Sequence, residues 1–390
     1  MNNKASNAIL LALILTVSAF TISNASTYYI SYSTGNDDNN GLNPASAWKT
    51  FDKLNFATFN AGDEIYLKRN DVWNQTLKLQ GSGTSEKSII LDAYGDGNRP
   101  QIKLNYCAKD TCVEANNISY WTIRNLDLRN ALRGMNIRYG MVKAYKVQIS
   151  ECDFYDMNYS TQDGKTVGIG LCIEGEGSDR FYDAVVKNCK FTRCVNGFAI
   201  NIGTQNLLCE DCVATGGLSA GFALVNVRNS TIRRFTVTDG GGNLPYGTCA
   251  GFIVWSDGVT IENCEFARYK NDGGHDGVGF DFEGNSKNIK FINNTIHNNS
   301  GAGIMVMSTS GHNSNILIKD CKLYNNCTSS YDEKSNYEML CWNNGSTGTI
   351  ENCTIYKDKA SDYIHPDFCN FTQSNNQFKT YQDFINQQKK

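Results

Sequence analysis

Apolar residues in this chain alternate with small or polar ones in short segments, and the segments return every two to three dozen residues. Each return opens with a Gly followed by alternating apolar positions, at Gly134, Gly170, Gly197, Gly221, Gly251, Gly279 and Gly303. It continues with apolar-x-x-Cys-x-apolar, as in Ile149 to Phe154, Val186 to Phe191, Ile261 to Phe266, Ile318 to Leu323 and Ile350 to Ile355. A two-residue alternation is the period of a strand and not of a helix. A return at this interval indicates stacked supersecondary units. The Cys-like position runs in a column, Leu126, Cys152, Cys189, Cys212, Phe235, Cys264, Asn294, Cys321 and Cys353, with a closest spacing of 23 residues. Longer spacings are then loops inserted at one corner, which a solenoid accepts without losing register. Asn stands one place before the column at Asn125, Asn188, Asn263, Asn293 and Asn352. Asn tolerates the left-handed backbone of tight bends. Two alternating segments per coil, joined by polar bends, predict an all-β parallel β-helix solenoid.

Residues 1–25 read as a secretory signal: Lys4, an apolar run from Ile9 to Phe20, then Ser23-Asn24-Ala25. The run is too short to span a bilayer. The expected location is secreted or extracytoplasmic, in the periplasm or at the cell surface. Residues 26–390 read as one β-helix domain, with an opening strand and cap (26–60), irregular first coils (61–117), regular coils (118–356) and a C-terminal cap (357–390). Trp48, Phe51 and Leu54, three residues apart, predict an N-terminal capping helix, and Tyr381 to Ile385 a second short helix.

A net charge of −3 gives no electrostatic case for nucleic acid or an anionic membrane as a partner. Fifteen Cys in an exported chain raise the question of disulfides. Six of them share the repeat column, which reads instead as a stack of buried thiols packing as small hydrophobes. Cys209 and Cys212, three apart on a strand, should face opposite sides, which argues against a metal or redox role. Cys107 and Cys112 are the best disulfide candidates.

The opening segment Thr27-Tyr28-Tyr29-Ile30-Ser31, with Gly35-Asn36-Asp37, Gly41, Trp48-Lys49-Thr50 and Ala61-Gly62-Asp63-Glu64-Ile65-Tyr66-Leu67, resembles the start of secreted right-handed parallel β-helix proteins of the pectin-lyase-like superfamily. The coil from Asp276 to Phe282, continuing through Asn293-Asn294, His297-Asn298-Asn299 and Gly301, resembles a pattern found among them. The resemblance covers nearly the whole chain after residue 25 and implies a right-handed solenoid. It leaves the reaction open, since that superfamily includes polysaccharide lyases, glycoside hydrolases, uronate epimerases and proteins without known activity.

In the Gly-led strand, alternate residues should face outward. The outward pairs are mostly small or apolar, for example Ala199/Asn201, Ala223/Val225, Ile253/Trp255 and Met305/Met307. Asp281/Glu283 stands out, as two carboxylates ~7 Å apart along one strand. The preceding loop adds Arg268, Lys270, His275 and Asp276, and the coil before adds Trp255 and Asp257. An aromatic beside carboxylates suits a sugar ring. Asp281, Glu283, Asp276 and His275 are the catalytic candidates. Trp255, Asp257, Lys270, Arg268 and Asn201 are candidates for binding substrate. In a hydrolase one carboxylic acid would protonate the leaving oxygen while the other carboxylate activates water, in a spacing that suits inversion. In a lyase or epimerase, Asp276, Asp281 and Glu283 would bind Ca²⁺ and a cationic base would be needed. The Asp276 to Asp281 spacing resembles the calcium motif of β-helix pectate lyases. Those enzymes place a Lys on a neighbouring coil, where this chain has Gly303 to Met307, leaving Lys270 or Arg268 as substitutes. The third alternative is an inert coil in a glycan-binding or surface protein. The expectation is an enzyme cleaving glycosidic bonds in a polysaccharide, acting as a monomer.

Overall fold

The computed structural model describes residues 25–105, 110–140, 142–160, 166–175, 181–244, 247–272, 276–329, 336–342, 345–357, 362–365 and 370–388. The secretory-signal expectation therefore lies outside the described residues, apart from Ala25. Three long parallel sheets of 13, 13 and 12 strands wind around one apolar core. Each coil contributes a strand to each sheet, as in Ala220–Arg228, Thr231–Arg233 and Thr236–Thr238. This corrects the expectation of two segments per coil. The apolar-x-x-Cys-x-apolar stretch is two short strands meeting at a corner. Ile149 sits in one, Val147–Ser150, and Phe154 in the next, Asp153–Tyr155.

The corner chemistry follows from sequence. Asn125, Asn188, Asn263, Asn293 and Asn352 all take left-handed backbone, with φ between 51° and 60°. The next residue turns into the core. Where it is Cys, its thiol bonds weakly to the carbonyl two places back: Cys189 to Lys187 at 3.4 Å, Cys264 to Glu262 at 3.3 Å, Cys353 to Glu351 at 3.5 Å. Asn294 fills this position with an amide, donating to Ile261 O at 3.0 Å and accepting from Cys264 N at 2.8 Å. Burial pushes the Cys264 thiol up to about 12, so it packs as a neutral group. Cys209 and Cys212 do not face opposite sides. The bend at Asp211 (φ 56°) turns both inward, and their sulfurs lie 3.9 Å apart. Cys112 is a free, buried thiol, so the Cys107–Cys112 disulfide does not form. Cys341 is disulfide-bonded.

The N-terminal helix is shorter than expected, Asp52–Phe56, and brings Leu54 into the core. Trp48 instead lies beside Ile30 in a parallel bridge. The C-terminal helix, Tyr381–Gln388, lies on the outer face of the last coils, where Phe384 stacks on Tyr324 at 4.3 Å. No helix among the described residues is long and apolar enough to cross a membrane.

Candidate active site

The sheet carrying the Gly-led strands positions the carboxylates. Its register aligns Met135, Leu171, Phe198, Phe222, Gly251, Phe280 and Ile304 on the inward side. The outward side then runs Asn136, Cys172, Ala199, Ala223, Phe252, Asp281, Met305 and Leu340. Gly251 thus stands one place out of the Gly column, in an apolar position. Ile253 is core, and Phe252 rather than Ile253 faces outward beside Asp281. Phe222 occupies the space Gly251 leaves, its ring 3.1 Å from where a Cβ would be.

The strand Asp276–Gly284 is irregular where it matters. Thr248 pairs with Asp276 and Cys249 with Val278, so Gly277 is an extra residue. Ile253 pairs with Phe282 and Val254 with Gly284, so Glu283 is another. Bulges bend a strand and re-aim side chains. These two flank Asp281. The first needs left-handed backbone at Asp276 (φ 68°) and Gly277 (φ 64°). A Cβ on Gly277 would also sit 2.9 Å from that of Ser300.

Asp276, Asp281 and Glu283 line one cavity of about 360 Å³. Its rim adds Asn196, Ser219 and Thr248, and its apolar wall Cys249, Phe252 and Met307. Asp281 is 7% exposed, and its Oδ1 has no hydrogen-bond partner among the described residues. Burial, then the charges of Glu283 and Asp276, push its pKa well above the carboxylate range. Burial and Asp276 also raise Glu283. Glu210 shows the contrast: hydrogen bonds from Arg233 and Arg234 outweigh burial and lower its pKa. Burial and the same three carboxylates keep the Cys249 thiol protonated.

The other candidates are distributed elsewhere. His275 lies outside the described residues. Arg268 and Lys270 line a different cavity, where Arg268 grips Asp239 through two hydrogen bonds of 2.6 and 2.9 Å. No cation is among the described residues lining the carboxylate cavity. Trp255 and Asp257 line a third cavity with His312. Asn201 lies three coils away, its amide 3.9 Å from the Cys172 sulfur, and Asn196 of the same strand reaches the site instead. Among the described residues no three His, Cys, Asp or Glu side chains are arranged to hold a metal ion, so the three carboxylates share a cavity without forming a ligand shell. Sequence reasoning missed Asn196, Ser219 and Thr248, polar residues just before the Gly column. It also missed Phe252, hidden by the misplaced Gly251.

Residues 141–316 match the family model described as right handed beta helix region. The chain is 28% identical over 138 aligned residues to a lacto-N-biosidase of Bifidobacterium longum subsp. longum, a match covering 29% of this chain and 9% of that protein. The GH136 lacto-N-biosidase from Eubacterium ramulus superposes with a TM-score of 0.70 at 15% identity, over 91% of this chain and 68% of the other. An alginate lyase from Paenibacillus sp. gives 0.54 at 13% identity, over 91% and 99%. The A-module of a mannuronan C-5 epimerase from Azotobacter vinelandii gives 0.54 at 16%, over 90% and 96%. The sheet architecture and these likenesses agree: the chain is a right-handed parallel β-helix.

Proposed function

We propose that the protein is a glycoside hydrolase acting on an oligosaccharide or polysaccharide, with Asp281 as general acid and Glu283 as general base. The observation that carries this reading is the buried Asp281 carboxyl, unpartnered at Oδ1, beside Glu283 and Asp276 in an open cavity. An acid whose pKa is raised by burial and neighbouring charge holds its proton to higher pH and can give it to the glycosidic oxygen as the C–O bond breaks. Glu283, less buried, is the partner that ionises. It takes a proton from a water attacking the anomeric carbon from the opposite face, so the turnover adds one water and inverts the centre. Asp276 holds the shared negative field and favours the protonated form of Asp281. Two likenesses are to proteins named lacto-N-biosidases, which favours hydrolysis over elimination. The described lining also offers no Lys or Arg base for a lyase. We place the substrate outside the cytoplasm, on the strength of the signal-like residues 1–25.

The test is turnover of a panel of neutral and acidic polysaccharides by the parent protein, Asp281→Asn and Glu283→Gln. Each substitution should lower kcat by roughly 10²–10⁴-fold. Full activity in Asp281→Asn would overturn the assignment.

A further inference from the structure

The corner that follows the strand Thr248–Val254 carries a separate cavity of about 190 Å³. Trp255, Asp257, Asn285, Lys287, His312 and Ser314 line it. Trp255 is out of character for its place in the repeat. The register aligns it with Asn226 on the coil before and Asn285 on the coil after, and all three take φ between 50° and 55°. Asn tolerates that left-handed backbone, whereas a bulky aromatic is strained there. The indole is also 50% exposed, so core packing does not repay the strain. Strain retained at such a point is characteristic of ligand clamps.

The surroundings suit one ligand chemistry. A pyranose has an apolar face that lies against an indole and a rim of hydroxyls that need donors and acceptors. Asp257 is fixed by the Asn288 amide at 2.8 Å and the Lys287 ammonium at 3.4 Å, so their charges offset each other. Arg228, also at the rim, already has partners. The Asp257–Lys287 pair, with the amide of Asn285 and the hydroxyl of Ser314, offers donors and acceptors that suit the hydroxyls of a neutral sugar. The pocket adjoins the carboxylates. The Trp255 amide donates to Gly284 O at 3.1 Å, Glu283 before Gly284 lines the carboxylate cavity, and Asn285 after it lines this one.

We propose that this corner pocket is a sugar-binding subsite, holding a neutral pyranose unit of the glycan whose scissile bond lies at Asp281 and Glu283. The proposal rests on the hydrolase reading and extends it: the substrate spans both cavities, so a single sugar with a small leaving group leaves this one empty.

The test uses the full-length protein carrying Asp281→Asn, titrated by calorimetry with short neutral oligosaccharides (cello-, xylo-, galacto- and N-acetylglucosamine chains). Adding Trp255→Asn installs the residue that flanking coils use. Binding should weaken by roughly tenfold while thermal stability holds or rises. Unchanged affinity, a loss of stability, or no binding of any panel member to the Asp281→Asn protein overturns the subsite. Cleavage by Asp281→Asn would instead overturn the catalytic reading, and the subsite would still stand or fall on the Trp255→Asn titration.

Discussion

Replacing Asp281 by Asn should change how stability depends on pH, in a direction fixed by burial. In the unfolded chain this carboxyl ionises near pH ~4. In the folded protein, burial and the nearby Glu283 and Asp276 charges hold its pKa well above that range. Between the two values the folded state binds one proton more than the unfolded state. Its contribution to stability is complete below the unfolded pKa and is lost as pH rises towards the folded one. One group in this regime costs about 1.4 kcal/mol per pH unit. Asn carries no charge and escapes that loss at similar size. Urea unfolding of both proteins at about pH 5 and about pH 7 should show the Asn variant gaining on the parent, approaching about 2.7 kcal/mol if Asp281 stays protonated throughout. Glu283 is also raised and adds slope to both proteins, so it cancels in the difference. A stability difference that is flat with pH, or that favours the parent as pH rises, would refute the reasoning.

Two substitutions probe how the backbone holds the site. Gly247 lies at φ 80°, and a Cβ there would collide with the Asp276 carboxylate, so Gly247→Ala should cut activity more than it cuts stability. Steady-state rates beside a thermal melt check this, and undiminished kcat would contradict it. Gly251→Val would drive a side chain into the Phe222 ring, whose nearest carbons lie 3.1 to 3.2 Å from the built Cβ. It should destabilise by about 1–3 kcal/mol, measured by urea unfolding, and a neutral result would mean that the ring can move aside.

Much of the fold was legible because a solenoid writes its period into the chain. The Asn column sits at left-handed corners because Asn tolerates that backbone, which Glu151 and Arg234 also take at the same column, and the chemistry is local. The third strand of each coil was not legible, since strands of three residues such as Thr236–Thr238 are too short to show an alternation. The Cys209 and Cys212 argument failed for a related reason: strand parity does not survive a corner at Asp211. At the site, Asp281 and Glu283 stood out because their neighbours in the outward columns are small or apolar. Their surroundings depend on two bulges, at Gly277 and Glu283, that follow from pairing with the previous coil and leave no mark in a single sequence. Trp255 was expected beside the carboxylates on the assumption that Gly251 marked the register. Ala250-Gly251 shifts that register by one, and Trp255 falls at the corner instead.

The most direct test of the central claim is the origin of the oxygen at the new chain end. Digestion in water enriched in heavy oxygen, followed by mass spectrometry of the products, reads it. Hydrolysis through Asp281 and Glu283 predicts one heavy oxygen at the new saturated reducing end of each product. Unsaturated uronate ends without the label would contradict it and identify an eliminase.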